Sequence, residues 1–367
     1  MMYFCYRFNS NDDMNDNSYS KILVSWYEKH RRDLPWRHSS DPYVIWISEV
    51  ILQQTRVAQG LAYFNRFMAR FPNVCLLAQA SEDEVLKYWE GLGYYSRARN
   101  LHEAARTVCE KHGGVFPRTY AGVRALKGIG DYTAAAIVSF SYGLPYPVLD
   151  GNVFRVLSRL FAVAMPIDST EGKKTFRRLA EMLLDESNPG LHNQAIMELG
   201  ALQCVPRQPD CPQCPLIYKC MAYAEGAVSA YPVKQAKAKS RPRYFHFFHI
   251  LWGEYTYLQR REAKDIWQGL YQFPLVETDG PADFTDLQQA EDFRCLFQRC
   301  GRLEISVRRQ NVRHVLSHQV IYATFYSVRV EQEGEGLRSY LRVPAADLPG
   351  YAFPRLLQNY LQECPDE

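Results

Sequence analysis

The sequence holds no apolar run approaching the ~20 residues that cross a bilayer, which excludes a helical membrane protein as its class. The N-terminal stretch MMYFCYRFNSNDDMNDNSYS has no long apolar core, so no secretory signal is expected there. Its Asn-, Asp- and Ser-rich part predicts a flexible extension over residues 1–18. Neither sign of charge is in marked excess. Lys and Arg number 43 against 40 Asp and Glu, a net +3, so composition alone does not point to a polyanionic partner. There is no internal repeat. What remains is ordinary for a globular chain: 367 residues, 47% hydrophobic and 23% charged, enough for two or three domains. The expectation is a soluble protein of a bacterial cytoplasm.

From 19 to 225 the pattern is helical. Segments such as DPYVIWISEVILQQT, RNLHEAARTVCEKHGG and KKTFRRLAEMLLDES carry apolar positions three and four apart, with short Gly or Pro breaks between them. SAYPVKQAKAKSRPR then brings Pro232 and Pro242 with Lys234, Lys237, Lys239, Arg241 and Arg243, which predicts a linker over 226–243. Beyond it, RYFHFFHILWGEYTYLQRR, RLEISVRRQNV and HQVIYATFYSVRV are aromatic and β-branched, as in strands. LQQAEDFRCLFQRCG and FPRLLQNYLQE read as helices, so residues 244–367 are expected to form a second, α+β domain.

Four of the ten cysteines fall close together, as Cys204-x6-Cys211-x2-Cys214-x5-Cys220. A reducing compartment disfavours a disulfide framework. Four soft thiolates at this spacing suit either tetrahedral zinc or an iron–sulfur cluster. Pro206, Pro209, Pro212 and Pro215 deny the segment a helix, so a bound metal would staple it. Arg207 and Lys219 beside it are expected to face outward toward phosphate.

Two acids stand in apolar surroundings. Asp150, in YPVLDGNVFRVL, precedes a helix whose apolar face is Val153, Val156, Leu157 and Leu160. A buried carboxylate needs a partner or a task, and a helix N-cap is the simplest one. Glu49, in WISEVILQQTRV, has Ile45 and Trp46 one turn back and Leu52 one turn ahead, which predicts a raised pKa and a general acid. A surface Glu paired with Arg56 or Gln53 would fit the same spacing. Between the two acids lies LKGIGDYTAAAI, where Gly128 and Gly130 open a helix. Such a turn offers backbone N–H groups to an anion or simply connects two helices.

Taken together, the six-two-five cysteine spacing, the Gly-Ile-Gly hairpin and an aspartate about twenty residues after it resemble the endonuclease III and MutY superfamily of helix-hairpin-helix DNA glycosylases. SEVILQQTRV, LPWR, GLGYYSRARNL and LDGNVFRVLSR match its MutY-type adenine DNA glycosylase branch. The resemblance implies an all-α glycosylase domain with a [4Fe–4S] loop over 204–220, held by Cys204, Cys211, Cys214 and Cys220. It implies that a base-excision-repair hydrolase, working on double-stranded DNA as a monomer associated with the nucleoid, removes adenine mispaired with 8-oxoguanine or guanine. The base must first leave the stack. Glu49 would then protonate the adenine ring and Asp150 would stabilise the anomeric carbon, the natural division for cleaving a glycosidic bond. Tyr132 and Asn152 would support Asp150. Lyase relatives keep a lysine where this chain has Tyr132, and some have one where it has Phe154, so monofunctional chemistry is implied. Leu52, Gln54, Thr55 and Tyr94 would probe the opposite strand, Gly128 and Gly130 would hold phosphate, and Arg37 would approach the adenine. Arg97 and Arg99 after Tyr94 and Tyr95 fit an aromatic–basic nucleic-acid surface.

DIWQGLYQFPLVE resembles the start of a MutT-like (Nudix) fold, and LPGYAFPRLLQNYL resembles its closing segment. The magnesium-holding Arg-Glu…Glu-Glu helix of working Nudix enzymes is missing, so a silent, lesion-recognising domain is implied. The family's recognition loop reads His-x-Phe-Ser-His. HVLSH, His314 to His318, keeps Ser317 and His318 to contact the lesion but has Leu316 for the phenylalanine. The competing expectations are a thymine-mismatch or endonuclease III-like glycosylase, and a non-catalytic iron–sulfur DNA-binding protein.

Overall fold

The computed structural model describes residues 18–235 and 240–363. Most of the expected N-terminal extension, Cys5, Cys364 and the linker residues Lys237 and Lys239 lie outside the described residues. The described residues within Met1–Ala78 and Glu103–Ala236 form one compact unit, and those within Gln79–His102 and Lys237–Glu367 form another.

Twelve helices run through the described part of the chain before residue 226: α1 Ser18–His30, α2 Pro42–Leu52, α3 Val57–Arg70, α4 Val74–Gln79, α5 Glu82–Trp89, α6 Ser96–His112, α7 Tyr120–Arg124, α8 Asp131–Tyr142, α9 Gly151–Leu160, α10 Thr170–Leu183, α11 Pro189–Leu202 and α12 Met221–Ala224. Their starts follow local chemistry. Asp41 accepts from the Tyr43 amide to cap α2, Thr119 caps α7, Asp150 caps α9 and Ser169 caps α10. In the first unit α2 packs on α8, and α11 packs on α1, α8 and α9. Apolar side chains of α1, α8, α9, α10 and α11 share one core that includes Trp26, Leu157, Phe176, Ile196 and Leu199. Each such buried side chain contributes about 2 kcal/mol of transfer free energy. No helix among the described residues is long and apolar enough to cross a membrane.

In the second unit, β1 Arg241–Trp252, β2 Tyr255–Arg260, β3 Tyr271–Gln272, β4 Leu275–Thr278, β5 Leu303–Val315, β6 Gln319–Val330 and β7 Leu341–Pro344 form a mixed sheet in the order β3-β2-β1-β6-β5, with β4 beside β1 and β7 beside β2. β1 and β6 run parallel, pairing Tyr244 with Tyr322 and Phe247 with Phe325. One face carries Phe245, Phe247, Ile321 and Phe325 against Leu356, Leu357 and Tyr360 of α15 (Arg355–Glu363). The other carries Phe248, Ile250, Tyr326 and Val328 against α13 (Phe284–Gln289) and α14 (Glu291–Leu296). This is the expected α+β fold. The expected helix over LQQAEDFRCLFQRCG is broken, because extended backbone at Ala290 separates α13 from α14.

Residues 79–102, helical by periodicity, are joined to the sheet by side chains far off in sequence. Arg260 Nη2 donates to Glu82 Oε1 at 2.8 Å, the Tyr271 hydroxyl to Asp83 Oδ2 at 3.0 Å, and Lys87 Nζ to the Tyr351 carbonyl at 3.0 Å. Glu90 Oε1 accepts from the Phe353 amide at 3.0 Å. No local pattern foretells contacts of this range.

Candidate active site

A cavity of about 390 Å³ opens in the helical unit, in the size range of small-molecule sites. Its lining includes Trp36, Arg37, Glu49, Leu52, Gln54, Thr55, Tyr132, Asp150, Asn152 and Glu198. Both acids singled out in the sequence therefore face one space.

Glu49 is the sole acid of α2, a helix of mean apolar character, and is only 7% exposed. Its carboxyl Oε2 accepts a hydrogen bond of 2.5 Å from the Tyr132 hydroxyl. Burial pushes its pKa up to about 7. The Tyr132 bond and Arg37 pull it down, and the nearby Asp150 pushes it further up. Tyr132 thus supports Glu49 and not Asp150 as expected: it is the second residue of α8, which packs against α2 and aims the hydroxyl at that helix.

Asp150 caps α9. Its Oδ1 accepts from the Val153 amide at 2.7 Å, and its Oδ2 from Asn152 Nδ2 at 2.8 Å. Asn152 is fixed in turn by Arg155, whose Nη2 donates to its Oδ1 at 2.8 Å and to the Gly200 carbonyl at 2.7 Å. A Cβ at position 200 would come within 2.6 Å of the Asn152 Cβ, so glycine in α11 is what lets Asn152 sit there. Burial raises the Asp150 pKa, and the Val153 amide, Asn152 and Arg155 oppose the rise. The two carboxyls differ in their donors: Asp150 has a network suited to an anion, while Glu49 has a single hydroxyl.

A further acid, Glu198 in IMELGAL of α11, is absent from the expected site residues. It is 1% exposed and lines the cavity. Arg32 Nε and Arg37 Nη1 both donate to its Oε1 at 2.9 Å, and Arg37 Nη2 to its Oε2 at 2.7 Å. Burial pushes Glu198 up, but these bonds outweigh it and hold the pKa at about 2. Arg37 is therefore locked in the cavity wall as a counterion. Glu198 could have been found by the same signal as Glu49, an acid inside an apolar helix.

Leu52, Gln54 and Thr55 follow at the end of α2, with Gln54 at φ +58 and exposed. In the hairpin Gly128 has φ +75, which favours glycine, and open space surrounds a Cβ placed on Gly130. Asp131, first in α8, is paired with Arg124 at 2.8 Å and Arg177 at 3.2 Å.

Tyr94 belongs to the second unit. It is 53% exposed, sits at φ +47, and its hydroxyl lies 2.8 Å from Ser317 Oγ. Ser317 and His318 are exposed in the turn between β5 and β6. Leu316 instead packs partly against the sheet core. The aromatic–basic surface is not what was expected. Tyr95 is buried, the Arg97 guanidinium lies over the Trp89 and Tyr94 rings, and Arg99 donates to Gln268. Those cations are committed within the unit.

Around the third feature, Cys204, Cys211, Cys214 and Cys220 line one small pocket with Arg159. Arg159 Nη1 donates to Cys204 Sγ at 3.3 Å and to the Val205 carbonyl at 2.8 Å. Four soft thiolates round one pocket suit a metal centre. Arg207 is exposed as expected. Lys219 is half-buried, and its Nζ lies over the Tyr19 ring, 4.5 Å from the centroid.

Residues 47–183 match a family model described as HhH-GPD superfamily base excision DNA repair protein, and 246–363 match a NUDIX domain model. The adenine DNA glycosylase of Buchnera aphidicola subsp. Acyrthosiphon pisum (strain APS) is 37% identical over 258 residues, covering 70% of this chain and 73% of that protein. The adenine DNA glycosylase of Mus musculus is 46% identical over 222 residues, covering 57% of this chain and 43% of its own length. Among solved structures, that of a thermostable thymine-DNA glycosylase aligns with TM-score 0.54 and 27% identity over 59% of this chain and 100% of its own.

Proposed function

The chain belongs to the adenine DNA glycosylase family, base-excision-repair enzymes that hydrolyse N-glycosidic bonds, and on that premise we propose that it releases adenine paired with 8-oxoguanine or guanine, with Glu49 and Asp150 as the catalytic pair. The observation that carries this reading is the shared cavity: an acid with a pKa near 7 and a second carboxylate held by its own donors face the same space.

The flipped nucleoside enters the cavity. Neutral Glu49 donates its proton to a ring nitrogen of adenine, so the base can leave without carrying negative charge. As the C1′–N9 bond breaks, positive charge grows on the sugar and faces the Asp150 carboxylate. Water then supplies hydroxide to the anomeric carbon and its second proton returns to Glu49. Tyr132 orients the Glu49 carboxyl, and Asn152 with the Val153 amide fixes Asp150. Among the described residues lining the cavity there is no lysine, which supports hydrolysis without strand cleavage.

On the opposite strand, Leu52, Gln54, Thr55 and Tyr94 would test the pair, Ser317 and His318 would hydrogen-bond the lesion, and Gly128 and Gly130 would hold phosphate. Arg37 would line the adenine side. Cys204, Cys211, Cys214 and Cys220 would hold a [4Fe–4S] cluster. When bound, that group stabilises the proline-rich loop, and no step of bond cleavage passes through it. The reading carries with it a monomer acting on nucleoid DNA in a bacterial cytoplasm.

A duplex with one 8-oxoguanine:adenine pair tests the proposal. Free adenine and a strand intact until alkali is added are expected. A strand nicked without alkali, thymine released from a guanine:thymine duplex in preference, or binding with no release would each overturn it. For the cluster, absorbance near ~400 nm with iron in the purified protein is expected; a colourless, zinc-loaded protein refutes it.

A further inference from the structure

We propose that Cys75 and Cys109 form a reversible disulfide that closes the neck of the excursion made by residues 79–102. The two sulfurs lie 3.2 Å apart, outside the cavity and outside the four-cysteine pocket. Cys75 is the second residue of α4 and is exposed; Cys109 is in the last turns of α6 and is half-buried. Gly113 and Gly114, at φ +60 and +81, turn the chain back after α6. A Cβ on Gly114 would stand 3.0 Å from the Cys75 sulfur, so the turn leaves that sulfur its room. An S–S bond is about 2.05 Å long, so the two sulfurs have still to close on each other from 3.2 Å.

The position of the pair gives the bond its consequence. The chain leaves the first compact unit after Ala78 and returns at Glu103, and both cysteines belong to that unit, one just before the departure and one just after the return. Inside the loop they would close lie α5, Tyr94 and every side chain by which 79–102 grips the sheet. A cross-link here raises the free energy of opening that segment, because the opened chain has less freedom to gain.

The chemistry is a two-electron exchange with a low-molecular-weight disulfide. The exposed Cys75 thiolate attacks one sulfur of the disulfide, and the other leaves as a thiolate that takes a proton. Cys109, whose thiol burial and Cys75 push up to about 11, acts second. Its thiolate attacks the Cys75 sulfur of the mixed disulfide and expels the remaining small thiol. Both protein sulfurs are oxidised, both small-molecule sulfurs are reduced, and two thiols are released.

Full-length, metal-loaded protein treated with oxidised glutathione provides the test. After free thiols are alkylated, peptide mapping should find residues 75 and 109 linked with loss of two hydrogens, and dithiothreitol should restore both thiols. Cys109→Ser should stop at a glutathione adduct on Cys75. Amide hydrogen exchange across 79–102 should slow several-fold in the oxidised wild type and not in treated Cys109→Ser. Both thiols remaining alkylatable, or glutathione accumulating on wild-type Cys75, would refute the disulfide. Equal exchange in the two redox forms would refute its role at the neck.

Discussion

The cavity of the helical unit and the β5–β6 turn of the sheet unit treat polar side chains in opposite ways. In the cavity, Glu49 and Glu198 are 7% and 1% exposed, and each is tied to named donors. In the turn, Ser317 and His318 are exposed. A buried carboxyl without partners costs several kcal/mol, so each of these acids brings donors that the fold must also accommodate. An exposed turn residue costs little to keep, and Ser317 meets Tyr94 at 2.8 Å while its other side faces solvent. Substitutions in the cavity should therefore disturb chemistry and stability together. Substitutions in the turn should alter recognition alone.

The largest effect is expected at Asp150. Asp150→Asn keeps an N-cap side chain and the volume but removes the charge that the proposed mechanism sets against the sugar. Single-turnover release of adenine should fall by about 10³-fold or more, with duplex binding retained and the melting temperature lowered, because the new amide Nδ2 faces the Asn152 Nδ2 that Asp150 Oδ2 accepts from. A variant that binds and still cleaves within tenfold of wild type would break the contrast. Next comes Glu198→Gln, which strands two guanidiniums in the cavity wall. Removing one partner of a buried ion pair costs about 3 kcal/mol, readable as a lower denaturation midpoint. The Glu198 pKa lies below its unfolded value, so its contribution is present at neutral pH. It should vanish as pH falls from about 4.5 toward 2.

Glu49 sharpens the comparison because its two roles oppose each other. Its pKa is raised to about 7, so the protonated form that the proposed mechanism calls for survives to neutral pH. Under the proposed mechanism kcat/KM should fall tenfold per unit above about pH 7, where Glu49 loses its proton, and fall again in acid, where Asp150 gains one. The stability sign is the reverse of Glu198. The folded state holds a proton that the unfolded chain loses near 4.5, so stability declines as pH rises from 4.5 through 7. Glu49→Gln should lose about 10²-fold in rate while gaining stability at pH 8 relative to wild type. A rate profile level to pH 9, or a variant no more stable than wild type at pH 8, would reject the assignment.

These acids also mark what local sequence could reveal. Asp150 and Glu49 stood out because an acid inside an apolar helical run is costly, and the cavity is where that cost is met. Glu198 obeys the same rule in IMELGAL and lacked only a motif to draw the eye. Tyr132 was placed correctly in α8, but which carboxyl it serves depends on how α8 lies on α2, a packing choice with no local signal. Arg97 and Arg99 fitted a nucleic-acid pattern, yet Arg99 is spent on Gln268, 169 residues away. The tie of 79–102 to the sheet was hidden for the same reason: periodicity reports which face of a helix is buried, not what buries it.

The smallest effect is expected at the turn, and it tests whether that surface is used as proposed. Ser317→Ala removes a hydroxyl that touches Tyr94 at 2.8 Å and otherwise faces solvent. Stability should stay within about 0.5 kcal/mol, because an exposed hydroxyl leaves no buried atom unpaired. Adenine release at saturating enzyme should be unchanged, since the substitution lies outside the cavity lining. Affinity for a duplex carrying 8-oxoguanine opposite adenine should weaken by about tenfold, the worth of one or two lost hydrogen bonds. Affinity for the guanine:adenine duplex should hold. The ratio of the two affinities is the decisive readout. A uniform loss on both duplexes would make Ser317 a prop for Tyr94, and no loss on either would remove the turn from recognition and leave its exposure without a use.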